Sequence, residues 1–222
     1  MKSGLGILIC FSGVISAQTD DSELLSKNAH NITHAARSFG ISPRLLASIV
    51  YAEQTQNVKP GEKFLDVVFA HSGYNSSVGI SQIKVNTAEW IEEQVHSEEG
   101  IVANRRDLIA RSADRTELVH KLSLDSTNLL YAAAYIAMIE NLWGEVLQAL
   151  DLPNGPIKKP SPGSEGGLQA SRTGIIATLY SLGIVRSNGS FRMPHDDPQM
   201  SDFGRKAQEF YDSFQLRAEF AK

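Results

Sequence analysis

Residues 45–54 read LLASIVYAEQ, a segment with seven apolar residues in ten and one glutamate, Glu53. The Ser-Pro pair at 42–43 predicts a helix start, because serine caps a first turn and proline suits the first helical position. Counted from Leu46, both Ile49 and Glu53 lie on one face of that helix. The sequence therefore predicts a carboxylate on the core-facing side, where acidic residues are rare.

The composition predicts one globular domain. The chain has 222 residues, of which 42% are hydrophobic and 21% charged, enough for a single well-packed core. Its formal net charge is −4, and the basic residues are scattered among acidic ones. Nucleic-acid binding therefore has no support in the sequence.

The N-terminal residues 1–17 have the plan of a signal peptide. Lys2 precedes an apolar run at 5–15, and Ala17 provides a small residue at the expected cleavage position. A short first helix or strand of the fold is the alternative interpretation. The run is too short for a comfortable membrane span. We therefore expect a mature domain at 18–222, with no membrane span, in the periplasm or secreted from a bacterium.

Cysteine usage narrows the chemistry of the expected mature chain. The chain contains one cysteine, Cys10, which lies in the predicted leader. Its removal would exclude disulfides, thiol catalysis and cysteine-ligated metals. His71 and His120 are isolated and have no metal-ligand spacing, so we expect neither a metal site nor a cofactor.

Hydrophobic periodicity predicts a mainly α fold. Besides the helix from 43, we expect helices at 22–39, 84–96, 104–122 (one helix or a pair), 125–146, 168–182 and 202–214. Asn86 or Thr87 is the expected cap of the helix at 84–96. Residues 64–69 predict a short strand or turn, and the Pro/Gly-rich stretch 152–167 predicts a surface loop within the domain.

Several short motifs follow Glu53 in a fixed order. They are Gly79-Ile80-Ser81-Gln82-Ile83, Thr87-Ala88, Asn128, Ala134-Tyr135, and Tyr180 with Gly183. Together with Ile41-Ser42-Pro43 and Glu53, they resemble the lysozyme-like soluble lytic transglycosylases (SLT type) over about residues 38–185. Each motif is weak alone, and the order is what makes the resemblance specific.

The resemblance implies a mainly α, lysozyme-like single domain that acts on peptidoglycan glycan strands. It implies a lytic transglycosylase that cleaves the MurNAc-β-1,4-GlcNAc bond with a single catalytic glutamate, Glu53. The residues that would bind the substrate or orient the acid are Gly79, Ser81, Gln82, Asn128 and Tyr180. The chain departs from the family at Gln54, Ser81 and Ser181, which stand where serine, methionine and asparagine are usual.

The chemistry explains why an acid would occupy an apolar helix face. Breaking a glycosidic bond requires a proton on the leaving oxygen, and burial prepares a carboxyl group to supply it. Most glycosidases add a second carboxylate. Members of the lytic type use one acid, which then takes a proton from the sugar's own hydroxyl as an anhydro ring closes.

Other interpretations remain open at this point. A buried glutamate can be a structural acid, Gln82 a turn residue, and Tyr180 a core residue. We expect four further aromatic residues to be core rather than sugar platforms: Trp90, Tyr131, Tyr135 and Trp143. A muramidase of the goose-lysozyme kind, with Asp66 as its second carboxylate, is the first alternative. A glycan-binding or partner-binding module without catalysis is the second, and the sequence identifies no envelope assembly as its partner.

Overall fold

Helices make up most of the protein in the computed structural model, which describes residues 12–56, 69–151, 170–186, 188–213 and 220. The helices are α1 (Ser12–Phe39), α2 (Pro43–Gln56), α3 (Val85–His96), α4 (Arg115–Ser123), α5 (Asp125–Leu150), α6 (Arg172–Leu182) and α7 (Asp202–Asp212). A turn of 3₁₀ helix covers Ala103–Arg105. Two short strands, β1 (Ser77–Val78) and β2 (Ile83–Lys84), pair antiparallel. The predicted mainly α fold is confirmed.

Helix α5 is the centre of the described core. It packs against α1, α4 and α6, while α2 packs on α1 and α7, and α7 packs on α6. The alanines at 132–134 are completely buried, and their small side chains let neighbouring backbones approach α5 closely. The hairpin contacts α4 and α5. It therefore lies at the edge of a helical core, where a cleft can form.

The start of α2 follows its local sequence signal. The helix begins at Pro43, and Ser42 Oγ accepts a hydrogen bond from the Leu45 N–H at 3.4 Å. Every residue of α2 from 45 to 54 is buried. The prediction that Glu53 lies on a buried helix face is therefore confirmed.

Helix α1 covers Ser12–Phe39 of the described residues, so it extends N-terminal of the start at 22 that the sequence predicts. No proline or glycine occurs from 14 to 39, so no residue interrupts the helix on its way back toward the N-terminus. The expected cleavage point after Ala17 lies within this helix. Cleavage there stays a prediction.

The prediction of a helix or helix pair over 104–122 is wrong in its first half. The structure has only the 3₁₀ turn at Ala103–Arg105 before α4 begins at Arg115. Asp114 caps α4 by accepting the Glu117 N–H at 2.9 Å, and Glu117 in turn accepts the Ala113 N–H at 2.8 Å. These two bonds, which resemble a capping box shifted by one residue on the glutamate side, start a new helix at Arg115.

The expected cap of α3 at Asn86 or Thr87 is also wrong. The helix begins at Val85, directly after β2. The Asn86 N–H is satisfied instead by Asn75 Oδ1 at 3.0 Å, so a residue from a distant segment replaces the local cap. The β1–β2 hairpin, which the sequence did not predict, positions this helix start.

The last two helices are shorter than predicted: α6 starts later than residue 168, and α7 ends before residue 214. Helix α6 begins at Arg172 because Ser171 caps it, with Oγ accepting the Gly174 N–H at 3.0 Å, and α7 ends at Asp212. Helix α5 extends beyond the predicted end at 146 to Leu150. The predicted strand or turn at 64–69 lies outside the described residues except for its last position, and the predicted loop at 152–167 lies wholly outside them. None of the helices described here is both long and apolar enough to span a membrane.

Candidate active site

Helix α2 carries Glu53 to the wall of a cleft of about 820 Å³. Ile49 and Val50 in the same helix are completely buried, and Glu53 itself is 4% exposed. The carboxyl group therefore lies where the apolar face of α2 meets the cleft. An acid in that position is shielded from bulk water but can meet a bound substrate.

The turn at 78–82, which joins β1 to β2, requires glycine at its second position. Gly79 has φ 81°, in the left-handed region that favours glycine. A Cβ atom there would lie 2.3 Å from the Leu122 carbonyl oxygen and 2.4 Å from Asn128 Nδ2. No side chain fits between the turn and α5, so Gly79 allows the two to touch.

Asn128 of α5 fixes the turn from behind. Its Oδ1 accepts the Ser81 N–H at 2.7 Å, and its Nδ2 donates to the Val78 carbonyl at 2.8 Å. The side chain is completely buried. Both ends of one amide are thus used to set the shape of the turn.

Two further side chains anchor the same turn from other helices. Gln54 Nε2 of α2 donates to the Ile80 carbonyl at 2.6 Å, and the Tyr180 hydroxyl of α6 donates to the Ser81 carbonyl at 2.8 Å. Buried carbonyls need such partners, because leaving one unsatisfied costs about 1–3 kcal/mol. The turn is therefore tied to α2, α5 and α6 together.

Gln82 is the residue of the turn that lines the cleft. Its backbone angle φ is 51°, a positive value that is strained for a residue other than glycine. Strained conformations of this kind cluster at functional sites. Its Nε2 donates to the Gly79 carbonyl at 3.0 Å. The amide oxygen makes no hydrogen bond to a described residue, so it can accept one from a substrate hydroxyl or N–H.

The tyrosines of the cleft stay protonated. Burial raises the pKa of Tyr180 well above its usual value, and the nearby Glu53 and Tyr135 raise it further. Burial also raises the pKa of Tyr135 to about 12, although the hydrogen bond to the Ile184 backbone and the charge of Arg192 oppose the rise. Tyr180 therefore acts as a neutral donor close to Glu53.

The cleft has a lining rich in amides, hydroxyls and aromatic edges. Its residues are Glu53, Asn75, Ser77, Gln82, Ile83, Lys84, Asn86, Thr87, Trp90, Tyr135, Tyr180, Ser181, Leu182, Gly183, Val185, Arg186 and Gly189. Trp90 is half-buried and packs edge-on against Tyr135 and Phe191, with ring centroids 6.3 and 6.1 Å apart. Polar groups beside an aromatic wall suit a carbohydrate ligand.

The six predicted site residues divide into two groups. Glu53, Gln82 and Tyr180 line the cleft. Gly79, Ser81 and Asn128 do not line it, and the last two are completely buried. The residues of the second group hold the turn in place from behind.

Sequence reasoning missed two contributors to the site. Gln54 stands where the lytic transglycosylases that the sequence resembles usually have serine. The length of its side chain lets it reach the Ile80 carbonyl. Trp90 was expected in the core, and it both packs there and lines the cleft. The signal for Trp90 was its position three residues after Thr87, which places both on one helix face.

The other aromatic residues behave as core residues, as expected. Tyr131 is completely buried and Trp143 is 3% exposed. Tyr135 is 3% exposed and shares the edge of the cleft. Within the described parts of the chain, no group of three or more histidine, cysteine or acidic side chains could hold a metal ion.

A mainly helical domain with a buried glutamate at the edge of a polar cleft is consistent with the lysozyme-like proteins that cleave glycans. Residues 15–141 match the family described as "T6SS, Peptidoglycan muramidase Tse3, catalytic domain". The match covers more than half of the chain, and the chain belongs to this family of lysozyme-like, peptidoglycan-cleaving domains. The matched residues include Glu53, the turn and Asn128, and they end before Tyr180. No curated protein matches the chain.

Proposed function

We propose that this protein cleaves the MurNAc-β-1,4-GlcNAc bond of peptidoglycan with Glu53 as the general acid. The observation that carries the proposal is the location of Glu53, 4% exposed on an apolar helix face and yet lining a cleft. Its proton would go to the leaving glycosidic oxygen. Membership of a peptidoglycan muramidase family supports the choice of substrate.

The residues around Glu53 receive distinct roles in this proposal. Gln82 offers its amide oxygen to the sugar, and the Tyr180 phenol fixes the turn close to the acid. Gly79, Ser81 and Asn128 are positioning residues, because they hold Gln82 in its strained conformation without lining the cleft.

For the second half of the reaction we propose the lytic route. Among the described residues that line the cleft, Glu53 is the only carboxylate. In its ionised form after proton donation, Glu53 would take the proton of the sugar's own hydroxyl. That oxygen would then attack the anomeric carbon and close an anhydro ring, with no water consumed.

Analysis of the product ends tests this route. We expect digestion of purified sacculi, followed by borohydride reduction and mass spectrometry, to yield anhydro-MurNAc ends that borohydride leaves unchanged. Reducible MurNAc ends that gain two hydrogens would instead show hydrolysis. The comparison uses the same digest before and after reduction, so each sample is its own control.

Hydrolysis is the second candidate because the matched family is described as a muramidase. That route needs a group to activate or position water, and most glycosidases use a second carboxylate for it. The expected partner, Asp66, lies outside the described residues. If reducible ends appear, Asp66→Asn is the variant to test next.

We also propose that the protein acts outside the cytoplasm, where its substrate lies. The sequence signal is the plan of residues 1–17. Intact-mass analysis of the periplasmic or secreted fraction is expected to find a mature chain beginning near Gln18. A full-length mass in that fraction would contradict the predicted cleavage.

A further inference from the structure

Two cationic side chains line the same cleft as Glu53. They are Lys84 at the end of β2 and Arg186 after α6, and both are exposed. Neither forms an ion pair with a residue that the structure describes. The described lining thus has two free cations and one buried acid, although the chain as a whole has a net charge of −4.

The backbone holds both cations in defined positions. Lys84 is paired with Ser77 in the hairpin. The Arg186 N–H donates to the Ser190 carbonyl at 2.8 Å. The turn that carries Arg186 is closed by a bridge between Val185 and Phe191.

A second contact braces the arginine turn against the cleft wall. The Phe191 ring packs on Trp90, with ring centroids 6.1 Å apart. Each cation is therefore presented to the cleft by ordered backbone rather than by a free chain end.

The sugar rings of peptidoglycan offer these cations no partner. GlcNAc is uncharged, and the lactyl group of MurNAc loses its charge when it forms an amide with a stem peptide. The stem peptide itself has free carboxylates. Carboxylates are the groups that lysine and arginine side chains bind.

We propose that Lys84 and Arg186 form an anion-binding subsite for the carboxylates of the stem peptide. The inference rests on the proposed function and deepens it. The subsite makes the enzyme prefer peptide-bearing glycan strands to bare ones. It acts on substrate choice, while Glu53 performs the bond cleavage.

The test uses three soluble glycan substrates of equal length. One bears stem peptides, one bears the same peptides with their carboxylates amidated, and one is stripped of peptides and has the lactyl carboxyl groups that this frees converted to amides. The variant is Lys84→Gln/Arg186→Gln, and the control is Arg106→Gln, an exposed arginine that does not line the cleft. For each protein, kcat/KM is measured on all three strands, and binding is measured by co-sedimentation with sacculi.

We expect the wild type and Arg106→Gln to cleave the carboxylate-bearing strand best. In the double variant that preference should fall by roughly twofold to thirtyfold, the range for two exposed ion pairs. Raising the salt concentration should reduce the wild-type preference in the same way, because salt screens exposed charges.

Equal kcat/KM on carboxylate and amidated strands, or an unchanged preference in the double variant, would overturn the subsite. If the wild type cleaves none of the strands, the proposed function fails separately. Co-sedimentation with sacculi then still tests whether Lys84 and Arg186 bind the carboxylates. Weaker retention of the double variant than of the wild type on native sacculi, with equal retention of the two proteins on amidated sacculi, supports it, and equal retention of both proteins on native sacculi refutes it.

Discussion

Glu53→Gln is expected to eliminate murein turnover while leaving the protein folded. The amide keeps the shape and volume of the carboxyl group but has no proton to donate to a leaving oxygen. General acid–base catalysis typically contributes ~10²–10⁴-fold. We expect a loss of at least that size, because the one acid in the described lining of the cleft would serve both half-reactions.

The stability of Glu53→Gln should hardly change. A neutral amide is less costly to bury than a carboxylate, so the melting temperature should stay close to that of the wild type. The variant should also still bind sacculi, because the cleft keeps its shape. Turnover and melting are measured on the same preparation.

Glu92→Gln is the matched control, since Glu92 is also a buried glutamate, 6% exposed. Its carboxylate accepts hydrogen bonds from the Ser112 N–H, the Ser112 hydroxyl and the Tyr131 hydroxyl at 2.6–2.8 Å. An amide replaces one acceptor by a donor there, which should cost about 1–3 kcal/mol. We expect lower stability and near-normal turnover of the folded fraction, the reverse of Glu53→Gln. Near-normal turnover in folded Glu53→Gln would remove Glu53 from the mechanism.

Gly79→Ala should have the second largest effect, on stability and activity together. The left-handed backbone alone costs a side chain about 1–2 kcal/mol. The new Cβ would also lie 2.3 Å from the Leu122 carbonyl oxygen and 2.4 Å from Asn128 Nδ2, and overpacking typically adds 1–3 kcal/mol. The turn must therefore move, and displacement of Gln82 by about 1 Å can cost on the order of 10²-fold in rate.

Gly73→Ala separates the two causes of the expected loss of stability, the left-handed backbone and the collision of the new Cβ atom. Gly73 also has positive φ, 92°, but a Cβ atom there meets nothing within 4 Å. The control variant should therefore show the backbone cost without the collision. Urea unfolding and turnover are compared between the two variants. Equal losses in both would mean that the contact between the turn and Asn128 contributes nothing.

Local signals in the sequence were enough to predict the helix of the acid. Ser42 and Pro43 start α2, and the spacing from Leu46 to Glu53 sets its buried face. The turn glycine at 79 could also be found from its motif. The cap of α4 could have been found in the same way, since Asp114 and Glu117 have capping-box spacing, but the predicted helix ran through it.

The support of the site could not be predicted, because it consists of long-range contacts. Asn128 reaches the turn across 47 and 50 residues of sequence, and Tyr180 across 99. The hairpin strands have two residues each, too short for an alternating pattern to appear. The cap of α3 comes from Asn75, eleven residues away, so no local rule points to it.

Gln54, one of the departures from the pattern of the resembled family, contributes a hydrogen bond to the turn. Its amide reaches the Ile80 carbonyl directly from the position after the acid. Ser81, another departure, is completely buried, and its hydroxyl has no hydrogen-bond partner among the described groups. Its backbone N–H and carbonyl are both bound. The turn therefore depends on the backbone of Ser81 rather than on its side chain.

The central claim is that the protein cleaves the bond between MurNAc and GlcNAc through Glu53. The most direct measurement is mass spectrometry of the soluble fragments that the mature wild type and Glu53→Gln release from purified sacculi. We expect fragments whose new ends are MurNAc, in anhydro or reducing form, from the wild type and none above background from the variant. New GlcNAc reducing ends, new peptide ends, or equal release by both proteins would contradict it.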